Sequence, residues 1–227
     1  MNIDLIEGLQ STRAIRRYAD EDISDEDLST IMFCATRAPT GSNRQTFRFL
    51  VLRHGDRARQ AKSLLGVAFR DGWAKKRSAD SYGSGDGDSP KARMARTMSH
   101  FVDNFEATPV VVLACIERRH NNMHDGASIY PACQNILLAS RGLGLGGVMT
   151  NWHMMVEAEL HELLGIPDTH TIAATIPLGR PVGSHGPVRR RPVQELVFDD
   201  AWGEPALWAT EPPETRHTQA GPPKRKT

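Results

Sequence analysis

The segment Pro109 to Ile116, PVVVLACI, constrains the fold of this chain most strongly. A short continuous apolar run that is rich in β-branched residues is typical of a strand buried in the interior of a sheet. An apolar-periodic stretch follows it and predicts a core helix from about Ser128 to Arg141, opened by Ser128. The chain therefore combines an interior strand with a core helix, as an α+β domain does.

Shorter patterns predict four further elements. Ser24 with Asp27 three residues later resembles a helix-starting box, and apolar residues then recur at helical spacing. The predicted elements are a helix over Asp25–Arg37, a strand over Phe47–Leu52, a helix over Glu157–Leu164 and a strand over Ile172–Leu178.

The chain of 227 residues is long enough for one sizeable core, and we expect a single domain over residues 1–210. From about Asp71 to Lys91 the sequence turns polar around SYGSGDGDSP, which predicts a lid loop. Trp73 and Tyr82 of this loop are candidates for contact with a substrate, although a surface loop without such contact explains them equally well. Residues 211–227 are expected to form a disordered tail.

Charge and composition exclude several classes of partner. Lys and Arg number 28 against 27 Asp and Glu, so the net charge of +1 gives no reason to expect nucleic acid or an anionic membrane. No apolar run approaches the roughly 20 residues of a membrane span, and the start lacks signal-peptide order. We expect a cytoplasmic protein. The three cysteines, Cys34, Cys115 and Cys133, are far apart, which favours buried, inert thiols over a disulfide framework.

Two arginine-rich segments stand near opposite ends of this domain. Three arginines fall within Thr12–Tyr18, and three more fall within Pro187–Val193. Close-set guanidinium groups hold phosphate through paired, charge-assisted hydrogen bonds, and a shared dianion would offset their mutual repulsion. Each segment taken alone also fits an exposed basic loop.

A third segment, Ala38–Phe47, carries side chains that both donate and accept hydrogen bonds. The edge of a flavin ring presents alternating donors and acceptors, and the amides of Asn43 and Gln45 can match that alternation. An ordinary turn that leads into a strand is the alternative.

Two other motifs invite different interpretations. Gly142, Gly144 and Gly147 fit the dinucleotide pattern G-x-G-x-x-G, but a helix is predicted before them and none after them, so a helix C-terminal break is favoured. The histidines at positions 120, 124, 153 and 161 lack the spacing of a zinc site. No Gly-x-Ser-x-Gly or HExxH arrangement indicates a hydrolase.

Together the three segments and the Gly-Leu-Gly stretch resemble the nitroreductase family over roughly Ile3 to Trp202. The resemblance implies a three-layer α+β fold, with a central, mostly antiparallel sheet flanked by helices, in a domain-interlocked homodimer. It also implies FMN at the dimer interface, NADPH or NADH as the electron donor, and a small electrophilic acceptor such as a nitroaromatic or a quinone. Dehalogenation or flavin breakdown, and flavin binding or sensing without turnover, are the alternatives that the sequence leaves open.

The resemblance also implies the site residues, with the flavin carrying the chemistry and no catalytic side chain beyond an electrostatic role for Arg16. The phosphate, the ribityl chain and the pyrimidine edge would lie along Arg13, Ala14, Arg16 and Arg17, with Arg190 and Arg189 closing on the phosphate. The ring would meet Val148, Met149 and Thr150 of one subunit and Pro39, Thr40, Gly41, Asn43 and Gln45 of its neighbour.

Three positions depart from the family pattern. Ala14 replaces the usual Ser and leaves only a backbone contact there, whereas Thr46 and Phe47 replace the usual Pro and Trp beside the ring pocket.

Overall fold

The computed structural model describes residues 3–118, 123–183 and 186–212. Four strands form one antiparallel sheet in the order β1-β2-β4-β3. The strands are β1 (Phe47–Leu52), β2 (Val110–Glu117), β3 (Gly146–Gly147) and β4 (His170–Gly179). The three strands that the sequence predicted are confirmed, with bounds that differ by at most two residues.

Strand β2 lies at the centre of the sheet and is buried on both faces. Side chains alternate between the two faces of a strand, so a strand covered on both sides needs apolar residues at every position. Val110, Val112, Ala114 and Ile116 contribute to one apolar cluster, and Val111, Leu113 and Cys115 contribute to the other. This double burial is the physical reason for the unbroken apolar run.

Helices cover both faces of the sheet. The helices are α1 (Leu5–Ser11), α2 (Asp25–Thr36), α3 (Asp56–Ala79), α4 (Pro90–Asp103), α5 (Met123–Gly142) and α6 (Glu157–Leu164). Helices α2 and α5 pack on one face of the sheet, whereas α3, α4 and α6 pack on the other. The predicted three-layer α+β fold is therefore confirmed.

The predicted start of the core helix is wrong. Helix α5 begins at Met123, so Ser128 lies inside the helix and does not open it. Its Oγ atom instead accepts a hydrogen bond from the backbone N–H of Gly41 at 3.2 Å. The predicted start of α2 is confirmed, because the Ser24 side chain accepts from the N–H of Asp27.

The predicted lid over Asp71–Lys91 is also wrong at both ends. Helix α3 continues to Ala79 and α4 begins at Pro90, so only residues 80–89 connect them. Gly72 and Trp73 extend the buried stripe of Leu65 and Phe69 at helical spacing, while Lys and Arg occupy the outer face. The abundance of charge on that outer face concealed the amphipathic pattern.

Two of the three cysteines have the environment of inert thiols. Burial raises the pKa values of Cys115 and Cys133 to about 12, and both are free and buried, whereas Cys34 is partly exposed. None of the described helices is long and apolar enough to span a bilayer.

The predicted tail begins with a residue that contacts the domain. Glu211 accepts a hydrogen bond from the backbone N–H of Val193 at 3.1 Å. Residues 213–227 of the predicted disordered tail lie outside the described residues.

Candidate functional site

The arginine-rich segment after α1 runs as an extended chain along one end of the sheet. The N–H of Ile15 donates to the carbonyl oxygen of Gly147 at 2.9 Å, and the N–H of Ala19 donates to that of Arg180 at 2.8 Å. These two bonds hold residues 12–19 between the chain that follows α5 and the chain that follows β4.

Tyr18 anchors this segment, and no sequence pattern singled it out. Its hydroxyl donates to the carbonyl oxygen of Ile15 at 2.7 Å, and burial raises its pKa, so the phenol remains a donor. The ring lies over Gly179, where a Cβ atom would come within 2.9 Å of it. The contact requires glycine at position 179, but the two residues are too remote in sequence for a local pattern to reveal it.

The two arginine-rich segments meet at one place. The N–H of Val188 donates to the carbonyl oxygen of Gln10 at 2.8 Å. A guanidinium nitrogen of Arg13 lies 3.7 Å from the position that a Cβ atom on Gly186 would occupy. The structure thus brings the chain beside Arg189 and Arg190 against the end of α1.

Five arginines of the two segments form no ion pair with an acid in the part of the chain that the structure describes: Arg13, Arg16, Arg17, Arg189 and Arg190. Neighbouring arginines differ, since Arg180 pairs with Glu21 at 2.7 Å and Arg191 pairs with Glu195 at 2.6 Å. The two segments therefore carry positive charge that no described acid neutralises.

Arg16 is the most enclosed of the five. Burial lowers its pKa, the nearby Arg13 lowers it further, and the phenols of Tyr18 and Tyr82 act in the opposite direction. Holding a charged guanidinium partly out of water and close to another cation costs free energy unless an anion is bound nearby. The junction is therefore suited to an anionic ligand.

Tyr82 lies in the connection between α3 and α4 and reaches this cluster. The centroid of its ring lies 5.2 Å from that of Trp73 and 5.4 Å from the Nζ atom of Lys91. Trp73 itself is only 4% exposed and donates its Nε1–H to the hydroxyl of Ser99. The expected place of Trp73 in a lid over the pocket is wrong, because the residue belongs to the core stripe of α3.

The strip Val148–Thr150 follows β3 directly. A Cβ atom on Gly147 would lie 2.5 Å from the carbonyl oxygen of Pro177, so only glycine permits this close strand pairing. Thr150 and Thr175 exchange two backbone hydrogen bonds, of 3.0 and 2.9 Å. These contacts fix the strip beside the extended segment that carries the first arginines.

The polar turn over residues 39–45 has an unusual backbone. Ser42, Asn43 and Gln45 have φ values of 52°, 52° and 51°, in the left-handed region that non-glycine residues seldom adopt. The Oγ1 atom of Thr40 accepts from the N–H of Gln45 at 3.1 Å and helps to hold the turn. Such local strain persists only where surrounding structure maintains it, and it is frequent at binding sites.

This turn and the arginine junction lie near opposite ends of α5. The backbone N–H of Gly41 donates to the hydroxyl oxygen of Ser128 near the start of α5. The Nε atom of Arg141, in the last turn of α5, donates to the hydroxyl oxygen of Ser11 at 3.1 Å. At 1.5 Å per residue, these two points are about 20 Å apart along the axis. One chain therefore does not bring all three predicted segments together.

The glycine-rich stretch is a helix end. Helix α5 terminates at Gly142, Gly144 has a φ of 76°, and the following residues enter β3. A dinucleotide fingerprint needs a helix after its glycines. The favoured interpretation, a C-terminal break, is confirmed.

His153 and His161 have partners within the fold. His153 is buried and its Nε2 atom donates to the carbonyl oxygen of Ile172 at 2.7 Å, while His161 lies 3.7 Å from Glu157. His161 and Glu157 help to line a surface cleft of about 770 Å³ that contains none of the predicted flavin residues. Position 120 and the side chain at position 124 lie outside the described residues, and the described ones contain no cluster of three metal-ligating side chains.

The proteins to which this chain is similar indicate that it belongs to one family. A protein of Archaeoglobus fulgidus named "Putative NADH dehydrogenase/NAD(P)H nitroreductase" is 28% identical over 190 residues, which cover 78% of this chain and 86% of that protein. A structure titled "putative nitroreductase in complex with fmn", from Desulfovibrio desulfuricans, has a TM-score of 0.64 at 26% identity and covers 88% of this chain and 99% of that chain.

A more distant structure shares the fold. The NADPH:FMN oxidoreductase of Vibrio harveyi, solved with NAD⁺, has a TM-score of 0.65 at 19% identity and covers 88% of this chain and 78% of that chain. The model of the nitroreductase family matches residues 9–180, which is more than half of the sequence. The chain therefore belongs to the nitroreductase family.

Proposed function

We propose that this protein is an FMN-dependent oxidoreductase that passes electrons from NADPH or NADH to a small electrophilic acceptor, such as a nitroaromatic or a quinone. The observation that carries the proposal is the set of unpaired arginines where the chain after α1 meets the chain after β4. A flavin phosphate supplies the dianion that this surface lacks. The FMN bound to the Desulfovibrio neighbour supports the same ligand.

Different residues of the junction would contact different parts of FMN. Arg13, Arg189 and Arg190 would hold the phosphate, with Arg17 beside them. Ala14 has no side-chain hydroxyl, so it would contribute only its backbone. Arg16, which is partly desolvated, would lie at the pyrimidine edge and stabilise negative charge there.

The ring would lie along Val148, Met149 and Thr150. Met149 is 38% exposed and offers an apolar contact, whereas Val148 is buried and fixes the strip from behind. When bound, FMN accepts a hydride from the nicotinamide and delivers electrons to the acceptor. The side chains bind, orient and exclude water, and none has to act as a nucleophile. Tyr82 would cover the acceptor side.

A second copy of the chain would complete the site. Pro39, Thr40, Gly41, Asn43 and Gln45 lie near the opposite end of α5 from the arginine junction, which favours a contribution from the neighbouring subunit. Large exposed apolar side chains provide a surface that a homodimer would bury: Leu5, Ile6, Leu9, Trp202, Leu207 and Trp208.

Absorbance measurements on the purified protein test the proposal. We expect a yellow protein with bands of oxidised FMN that bleach on addition of NADPH or NADH and return when a nitroaromatic or a quinone is added without oxygen. A colourless protein that takes up no FMN at micromolar concentration would refute the proposal. Reoxidation by oxygen alone would instead favour flavin binding without turnover.

A further inference from the structure

We propose that Arg141 is a positioning residue for the phosphate-binding arginines, because it clamps the last turn of α1 in the orientation that the arginine junction requires. The inference rests on the proposed function. It adds to the site a residue that lies on α5 and precedes the glycine stretch.

Arg141 holds α1 through two side chains. Its Nε atom donates to the hydroxyl oxygen of Ser11 at 3.1 Å, and its Nη2 atom lies 3.8 Å from the carboxylate of Glu7. The Ser11 hydroxyl in turn donates to the backbone carbonyl oxygen of Glu7 at 2.6 Å. The Arg141 side chain is only 16% exposed and Ser11 is buried, so their hydrogen bond is largely shielded from water, whereas Glu7 is 36% exposed.

Helix α1 needs this support. It has seven residues, and so short a helix is marginal without tertiary contacts. Leu5, Ile6 and Leu9 remain 68%, 51% and 48% exposed, which leaves little apolar packing within the subunit. Arg141 therefore supplies polar contacts that attach the last turn of α1 to α5.

The clamp lies directly beside the arginine junction. Ser11 ends α1 two residues before Arg13, and Gln10 accepts the backbone hydrogen bond from Val188. The Nε2 atom of Gln10 also donates to Glu7 at 3.3 Å. A rotation of the last turn of α1 would consequently move both arginine-rich segments relative to one another.

The test compares FMN with riboflavin, which lacks the phosphate, by quenching of flavin fluorescence on the flavin-free full-length protein. We expect Arg141→Met to raise the Kd for FMN about 10-fold, the scale of one charge-assisted hydrogen bond, while the Kd for riboflavin changes less than about twofold. Arg141→Lys should recover part of the FMN affinity. The matched control is Arg70→Met, which removes an arginine of α3 that is paired with Glu106 and should leave the ratio of the two Kd values unchanged.

Equal weakening of FMN and riboflavin binding, or no change in either, would overturn the role of Arg141. If Arg141→Met fails to fold by circular dichroism, Ser11→Ala removes the hydrogen-bond acceptor with a smaller change, and we expect the same selective effect at about threefold. A wild-type protein that binds neither flavin refutes the proposed function itself. A wild-type protein that prefers FMN, with variants that keep this preference, refutes only the inference about Arg141.

Discussion

The backbone N–H of Val188 donates a 2.8 Å hydrogen bond to the carbonyl oxygen of Gln10. The bond joins the two ends of the domain, and arginines flank it on both sides. A ligand site at this junction can form only after β4 has joined the sheet, because the chain that carries Val188 leaves from its end. Flavin affinity should therefore report on the native fold as a whole.

The unpaired arginines should contribute directly to FMN affinity. Arg190→Ala or Arg13→Ala should weaken FMN binding by about 1.5–3 kcal/mol, the usual contribution of a hydrogen bond to a charged group. Arg191→Ala is the matched control, because Arg191 is paired with Glu195 and should have little effect. Titration of flavin-free protein with FMN measures all three, and equal affinities for the three variants would contradict the phosphate assignment.

A mixed dimer tests whether two subunits share one site. Co-expression of Arg13→Ala and Asn43→Ala chains under different tags yields a heterodimer in which one site carries both changes and the other carries neither. If the turn over residues 39–45 serves the neighbouring subunit, about half of the sites should bind FMN with wild-type affinity. Two equally impaired sites per heterodimer would show that each chain binds FMN alone.

Two glycines of the same stretch should respond in opposite ways to alanine. A Cβ atom on Gly147 would lie 2.5 Å from the backbone oxygen of Pro177, so Gly147→Ala should destabilise the fold by about 2–3 kcal/mol. Gly142 ends α5, and a methyl group added there would have no atom within 4 Å, so Gly142→Ala should be neutral or stabilising by up to about 1 kcal/mol. Urea unfolding distinguishes the two, and similar losses would contradict the close β3–β4 contact.

Lys62 supports the start of β2 from inside the protein. It is 5% exposed, burial lowers its pKa, and its Nζ atom donates to the carbonyl oxygens of Arg53, Thr108 and Pro109 at 2.9, 2.7 and 3.1 Å. Lys62→Met leaves three carbonyls without their donor and should cost about 3 kcal/mol of unfolding free energy.

The control for this prediction is Lys76→Met on the same helix. Lys76 makes a half-exposed ion pair with Asp80, and its loss should cost less than about 0.5 kcal/mol. Chemical denaturation of both variants measures the difference. A cost for Lys62→Met as small as that for Lys76→Met would mean that water replaces the lost donor.

Acid should weaken the contact between α6 and β4. Burial alone would raise the pKa of Glu157, but hydrogen bonds from Thr171 and from the N–H of Ile172, with His153 and His161 nearby, lower it overall. The folded pKa is thus below the unfolded value. The carboxylate stabilises the fold above the unfolded pKa, and this contribution disappears as the pH falls through the folded pKa.

Glu157→Gln isolates that charge, because both hydrogen bonds are accepted by one oxygen that glutamine retains. We expect the variant to be about 1 kcal/mol less stable at pH 7, with the difference shrinking as the pH falls below about 4.3. Urea unfolding from pH 7 to pH 3 gives both curves. A difference that stays constant over this range would exclude a role for the charge.

Local sequence patterns predicted the elements whose own residues carry a clear signal, such as an unbroken apolar run or a capping side chain. Strand β2 is apolar on both faces, and α2 carries its own capping serine, so each was recognisable without its neighbours. Helix α3 was partly mistaken for a loop because Trp73 packs inward while charged residues cover the other side. The inward face became evident only once its partners in the core were in place.

The sequence by itself determined which groups could hold a phosphate, since guanidinium chemistry and close spacing of arginines are local properties. Its apolar patterns also indicated an α+β domain with an interior strand and a core helix, whereas the three-layer arrangement was implied by the resemblance to the nitroreductase family. Only the tertiary structure decided that the two arginine-rich segments meet, that Arg16 is partly desolvated without an acid, and that the turn near Asn43 lies at the other end of α5. These relationships join residues remote in sequence, and they depend on how helices and strands pack, which short-range periodicity does not encode.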